Sequence, residues 1–119
     1  MKDELENCRL TNCTPHDVVI VGSNGVNSVT IPASGVLPRC AVTTEKVGEV
    51  KVDGVTIPLT SSHFGEVTGL PEASDGTLLI VSRVVADASP GRHDLVVPAD
   101  LVRDLSGQVI GARSLSFVH

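Results

Sequence analysis

Six polar residues, Ser82, Arg83, Asp87, Arg92, His93 and Asp94, stand between two apolar runs in IVSRVVADASPGRHDLVVP, residues 80–98. Arginines beside serine and aspartate are the residue types that hold a phosphate or carboxylate. A guanidinium offers a planar fork of N–H donors, and a short helix capped by Ser82 would turn its free N–H groups outward beside Arg83. Arg92 and Asp94, two apart on a strand, share a face, where Asp94 either holds Arg92 or accepts from a ligand hydroxyl or amino group. The plainer alternative is that Ser82 is a cap and the charges are surface ion pairs of small energetic weight. A Ser-His-Asp hydrolase would draw on Ser82, His93 and Asp87 or Asp94. Adjacent residues on a strand point to opposite sides, however, and no G-x-S-x-G elbow is present, so no catalytic residue is assigned.

Three further residues complete the candidate ligand-binding set of Ser82, Arg83, Arg92 and Asp94. His16 in TPHDVVIV stands before an apolar strand, where its ring either ties a loop to the backbone or meets a ligand near neutral pH. Arg39 follows Pro38 in an otherwise apolar segment, and either pairs with a carboxylate or lines a pocket. Phe64, one of two phenylalanines in a chain without Trp or Tyr, is expected in the core or stacked on a planar ligand. Cys8, Cys13 and His16, with Cys40 as a fourth, could be drawn as a zinc site. Their C-x4-C-x2-H spacing is wider than that of a short zinc knuckle, so the reading is free thiols, with no metal and no cofactor.

The surrounding chain decides what can position these residues. With 41% hydrophobic and 19% charged residues in 119, the sequence should fold as one domain with a core of Val, Ile and Leu, whose stiff β-branched members favour strands. A net charge of −5 and two aromatic residues give neither a phosphate-attracting surface nor a stacking platform, so nucleic acid is not an expected partner. The acidic opening MKDELENCRL does not read as a signal peptide, and runs such as VVIV and LLIV are too short to span a bilayer. Three cysteines cannot all pair within one chain, which points to reduced thiols and a cytoplasmic setting without membrane attachment.

Turn residues divide the chain. VVIVGSNGVNSVTIP predicts two consecutive strands, and GEVKVDGVTIPL predicts a tight hairpin at Asp53-Gly54. SGVLPRCAVTT between them reads as a separate extended segment, and HFGEVTGLPEASDG as a short strand running into a loop. SRVVADA, opened by Ser82 and stopped by Pro90-Gly91, predicts a helix of about two turns. The C-terminal stretch adds strands around a turn at Ser106-Gly107. The fold expected is mainly β, a small barrel or sandwich of short antiparallel strands with one short helix near residues 83–89. Residues 1–12 are expected to form a flexible N-terminal segment and 13–119 a single β domain.

TPHDVVIV, IPASGVLPR, FGEVTGLPE and IVSRVVADASPGRHDLVVPADLVRDLSGQVIGARSL together resemble a group of small phage and bacterial proteins, notably of actinobacteria and their phages. The resemblance runs over nearly the whole chain from residue 11. It implies a setting, with no functional residues to carry over. In that setting the expectation is a homo-oligomeric cytoplasmic protein that sequesters a small anionic ligand without turnover. A nucleotide or a cyclic ADP-ribose-like immune signal would be such a ligand. The alternatives are a structural or interaction protein, such as a virion component or an inhibitor of a host factor, and a nucleotide-degrading enzyme.

Overall fold

Alternating valines broken by glycine, proline and aspartate fold into strands, and the computed structural model, which describes residues 8–22 and 27–118, has eight strands and one helix among them. In chain order they are β1 (Arg9–Asn12), β2 (Val18–Val21), β3 (Ser28–Ile31), β4 (Arg39–Val52), β5 (Val55–Thr68), β6 (Thr77–Ile80), α1 (Arg83–Asp87), β7 (Leu95–Arg103) and β8 (Val109–Phe117). Six strands form a sheet in the order β1-β6-β7-β8-β2-β3, and β4 and β5 pair only with each other.

The mainly β class with one short helix holds, and several details differ from expectation. The larger sheet is mixed: β1 with β6, β6 with β7 and β2 with β8 are parallel, while β7 with β8 and β2 with β3 are antiparallel. The reason for the β6 and β7 orientation is α1, because a helical crossover returns the chain in the same direction. Residues 9–12, expected in a flexible segment outside the domain, are instead an edge strand. Arg9 N donates to Gly76 O at 2.7 Å and Cys13 N to Ile80 O at 2.8 Å, and residues 1–7 of that segment lie outside the described residues.

An isolated parallel bridge between Asn12 and Ala33 ties β1 to the residues that follow β3. Asn12, 1% exposed, makes this tie with both its backbone and its amide. Its carbonyl accepts from Ser34 N and Ser34 Oγ at 2.9 and 2.7 Å. Its Nδ2 donates to His16 O and Ile31 O at 2.8 and 2.9 Å, and its Oδ1 accepts from Thr14 N and Thr14 Oγ1 at 3.0 and 2.6 Å. A buried amide is costly unless satisfied, and here every hydrogen-bonding group of the side chain has a partner.

Leu79, Val81, Leu95 and Val97 project from β6, the residue after it and β7 onto Val85 and Ala86 of α1, with Cys13 alongside. Ile80 and Val96, register partners on the opposite face, are also buried. Each such Val, Leu or Ile contributes about 1.5–3 kcal/mol through burial. The helix is held at its start by Ser82 Oγ, which accepts from Val85 N, and it ends after Asp87, short of the expected two turns.

A further departure is the length of the β4–β5 hairpin. SGVLPRCAVTT and HFGEVTG, read from sequence as separate short extended pieces, join the Asp53-Gly54 hairpin to give two continuous strands of 14 residues each. Both turn residues take positive φ (49° and 79°), which fits the right-handed twist of the paired strands. Register shifts lie between Cys40 and Val42 and between Lys46 and Gly48. Only the base is anchored, where Cys40 and Val67 pack on the core. The radius of gyration, 18.0 Å, exceeds the roughly 13–14 Å of a compact domain of this length, because the hairpin stands off as an arm.

Candidate functional site

The polar segment singled out in the sequence is a closed clasp. Arg92 Nε donates to Asp94 Oδ1 at 2.9 Å and Arg92 Nη2 to Asp94 Oδ2 at 2.8 Å, a two-pronged ion pair. The same Nη2 reaches Pro71 O at 2.8 Å, tying the β5–β6 loop to the approach to β7. With side chains 23% and 15% exposed, the pair is half-buried. The hydrogen bonds to Arg92 hold the Asp94 carboxyl below the usual carboxylate range, against the opposing effect of burial, and Asp94 raises the Arg92 guanidinium in turn.

Arg83 Nε pairs with Asp87 Oδ1 at 3.1 Å, one helical turn along and largely in solvent. Ser82 caps the helix. Each of these four expected ligand-binding residues therefore has a partner within its own segment. Arg39 is exposed at the start of β4, opposite Thr68, and Phe64 is 51% exposed on β5 opposite Val42, outside the core that sequence offered as one of its two places. His16 lies between β1 and β2, with its backbone carbonyl accepting from Asn12 Nδ2 and with Thr14 Oγ1 at 2.9 Å as an alternative donor. The residues expected to converge are thus dispersed over the clasp, the arm and the β1–β2 turn. Cys13 is buried in the core, where burial pushes its thiol up and a hydrogen bond with Ser34 opposes this. No cluster of three His, Cys, Asp or Glu ligands occurs among the described residues.

His16 belongs to a different cavity. β2 and β8 run parallel and pair at Ile20 and Ala112. At Gly111 the strands approach so closely that a Cβ would lie 3.1 Å from Val19 O. Beside their N-terminal halves, with Pro98 and Leu101 of β7, lies a groove of about 490 Å³. Val18, Val19, Pro98, Leu101, Val109 and Ile110 give it apolar walls, and His16, Asp17 and Gln108 supply its polar groups. Asp17 Oδ1 accepts from Ala33 N at 3.0 Å. Gln108 is set by the β7–β8 turn, where its N–H donates to Asp104 Oδ1 at 3.0 Å, and hydrogen bonds from Ser106 and Gln108 lower that carboxyl. The lining contains no lysine or arginine, so its chemistry suits an apolar occupant with a few hydrogen-bonding groups.

Asp17, Gln108 and Ile110 were not singled out in the sequence, since each sits in a strand or turn whose partner across the groove is some 90 residues away. The hint was NCTPHD, a cluster of side chains that bond to nearby backbone and so build tight turns.

A second surface is the distal half of the arm. Val52 pairs with Val55, Val50 with Ile57 and Gly48 with Leu59, and residues directly opposite share a face. The other face carries Glu49, Lys51, Thr56 and Pro58. The ribbon is therefore amphipathic, yet its five large apolar side chains are 41–61% exposed.

Fold and surfaces define a small mainly β protein with a satisfied polar clasp, an apolar groove and an uncovered apolar arm. No protein-family model matches the chain, and neither a curated protein nor a solved structure matches it.

Proposed function

We propose that the protein acts by self-assembly, as an interaction protein, with the distal half of the β4–β5 arm as its adhesive surface. The observation that carries this reading is the one-sided aliphatic character of that arm, Val50, Val52, Val55, Ile57 and Leu59 on one face and Glu49, Lys51, Thr56 and Pro58 on the other. A half-apolar ribbon gains its stability by covering one face, and an isolated two-stranded ribbon is marginal in water. Exposed patches of several hundred Å² on a small protein mark interaction surfaces. This fits the structural or interaction class raised by the sequence.

The test is the solution mass of the wild type and of a Val50→Asp/Ile57→Asp variant by light scattering. The wild type is expected to form a discrete oligomer and the variant to fall to the monomer with its circular dichroism unchanged. A wild type that stays monomeric up to high micromolar concentration overturns the proposal.

A second reading, capture of a small ligand, is favoured by the groove with His16, Asp17 and Gln108 at hand. A nucleotide-like anion would need cations from a second copy, because Arg92 is bound to Asp94 and Pro71 within its own chain. Native mass spectrometry after incubation with cyclic and NAD-derived nucleotides tests it: an intact adduct at fixed stoichiometry supports capture, and bare protein throughout removes it.

A further inference from the structure

The self-assembly reading leaves open where the arm sits, and we infer that the distal apolar face of the arm in one copy lies in the β2–β8 groove of a second copy. One chain carries two uncovered apolar features of opposite shape. One is a projecting ribbon, and the other is the cleft walled by Val18, Val19, Leu101, Val109 and Ile110. Arm on groove covers both, whereas arm on arm leaves the grooves open.

Area separates these two arrangements. Five aliphatic side chains, each about half exposed, present on the order of 400 Å² per arm. Packing two arms face to face hides at most on the order of 800 Å², which is the size of a weak contact. Seating an arm in a groove also covers Leu101, Val109 and Ile110, which are 44–53% exposed. Two reciprocal seatings then reach on the order of 1,300 Å², within the range of a stable interface.

Backbone chemistry also favours contact by the face over addition at the arm's edge. The pair Val52–Val55 closing the two-residue turn exchanges hydrogen bonds, so the alternation makes Glu49–Pro58 a non-hydrogen-bonded pair. Residue 58 thus turns its backbone nitrogen to the outer edge, and proline has no N–H there. Strand addition along β5 would lose a donor at that point, while face packing loses nothing.

The test uses an arm variant, Ile57→Asp, and a groove variant, Ile110→Asp, both at exposed positions and checked for folding by circular dichroism. Native mass spectrometry and sedimentation then read their assembly. Each alone is expected to weaken self-association at least tenfold, and an equimolar mixture to yield a heterodimer through the one remaining intact pair of surfaces. A groove variant that assembles like the wild type while the arm variant does not would overturn the groove as the arm's seat and leave self-assembly through the arm standing. Unchanged assembly in both variants would overturn both.

Discussion

The clasp around Arg92 and the arm around Val50 are opposite solutions for side chains that water alone could have served. In the clasp, charged and polar groups are drawn out of solvent and each finds a partner in the same chain: Asp94 and the Pro71 carbonyl for Arg92, and Val85 N for Ser82. On the arm, apolar groups that gain by leaving water stay in it. Charge and hydrogen-bonding chemistry drew attention to the first region, yet it is the second whose requirements the single chain leaves unmet. A residue type that can bind a ligand is evidence for a site only while its bonds are unspent.

This contrast is sharpened by substitutions that should act on folding in the body and on assembly in the arm. The largest effect is expected at Asn12. Asn12→Leu removes the buried amide donor to the His16 and Ile31 carbonyls and the acceptor of Thr14 N, and should cost about 3 kcal/mol or more in urea unfolding. Next is Arg92→Ala, expected to cost about 1–3 kcal/mol by leaving a half-buried Asp94 carboxylate without its partner. If Arg92 served a ligand alone, the same substitution would leave unfolding unchanged.

The clasp also has a pH signature. Because Asp94 titrates below its unfolded value, about 3.9, its contribution to stability is complete above that value and disappears as pH falls through the lower folded value. Asp94→Asn should therefore remove part of the acid limb of stability below about pH 5. An acid limb identical to the wild type's would contradict the ion pair. The smallest effect is expected at Arg83→Ala, within about 0.5 kcal/mol, since its pair with Asp87 is solvent-exposed.

How much of this was legible in the sequence follows from range. The Asp53-Gly54 turn, the paired strands either side of residues 23–26 and the Ser82 cap are set by neighbours a few residues apart, and all three were readable. Residues 23–26 themselves lie outside the described residues. The length of the arm was hidden by Pro38, Pro58 and Gly65, which punctuate a sequence as breakers. Pro58 is accommodated on an outer edge, and Gly65 allows close approach to Ala41, where a Cβ would lie 3.1 Å away. The groove was not readable, since it is lined by segments some 90 residues apart in the chain, brought together where β2 pairs with β8. The sequence around Arg92 and Asp94 fits a pair or a ligand site with equal ease; the structure shows the pair, with Pro71 O as a further acceptor.

Amide hydrogen exchange followed as a function of protein concentration tests the central contrast most directly. Residues 48–59 of the arm should gain protection as concentration rises, while residues 82–94 keep the same protection at every concentration. An arm that exchanges at the same rate from nanomolar to high micromolar protein would contradict the account.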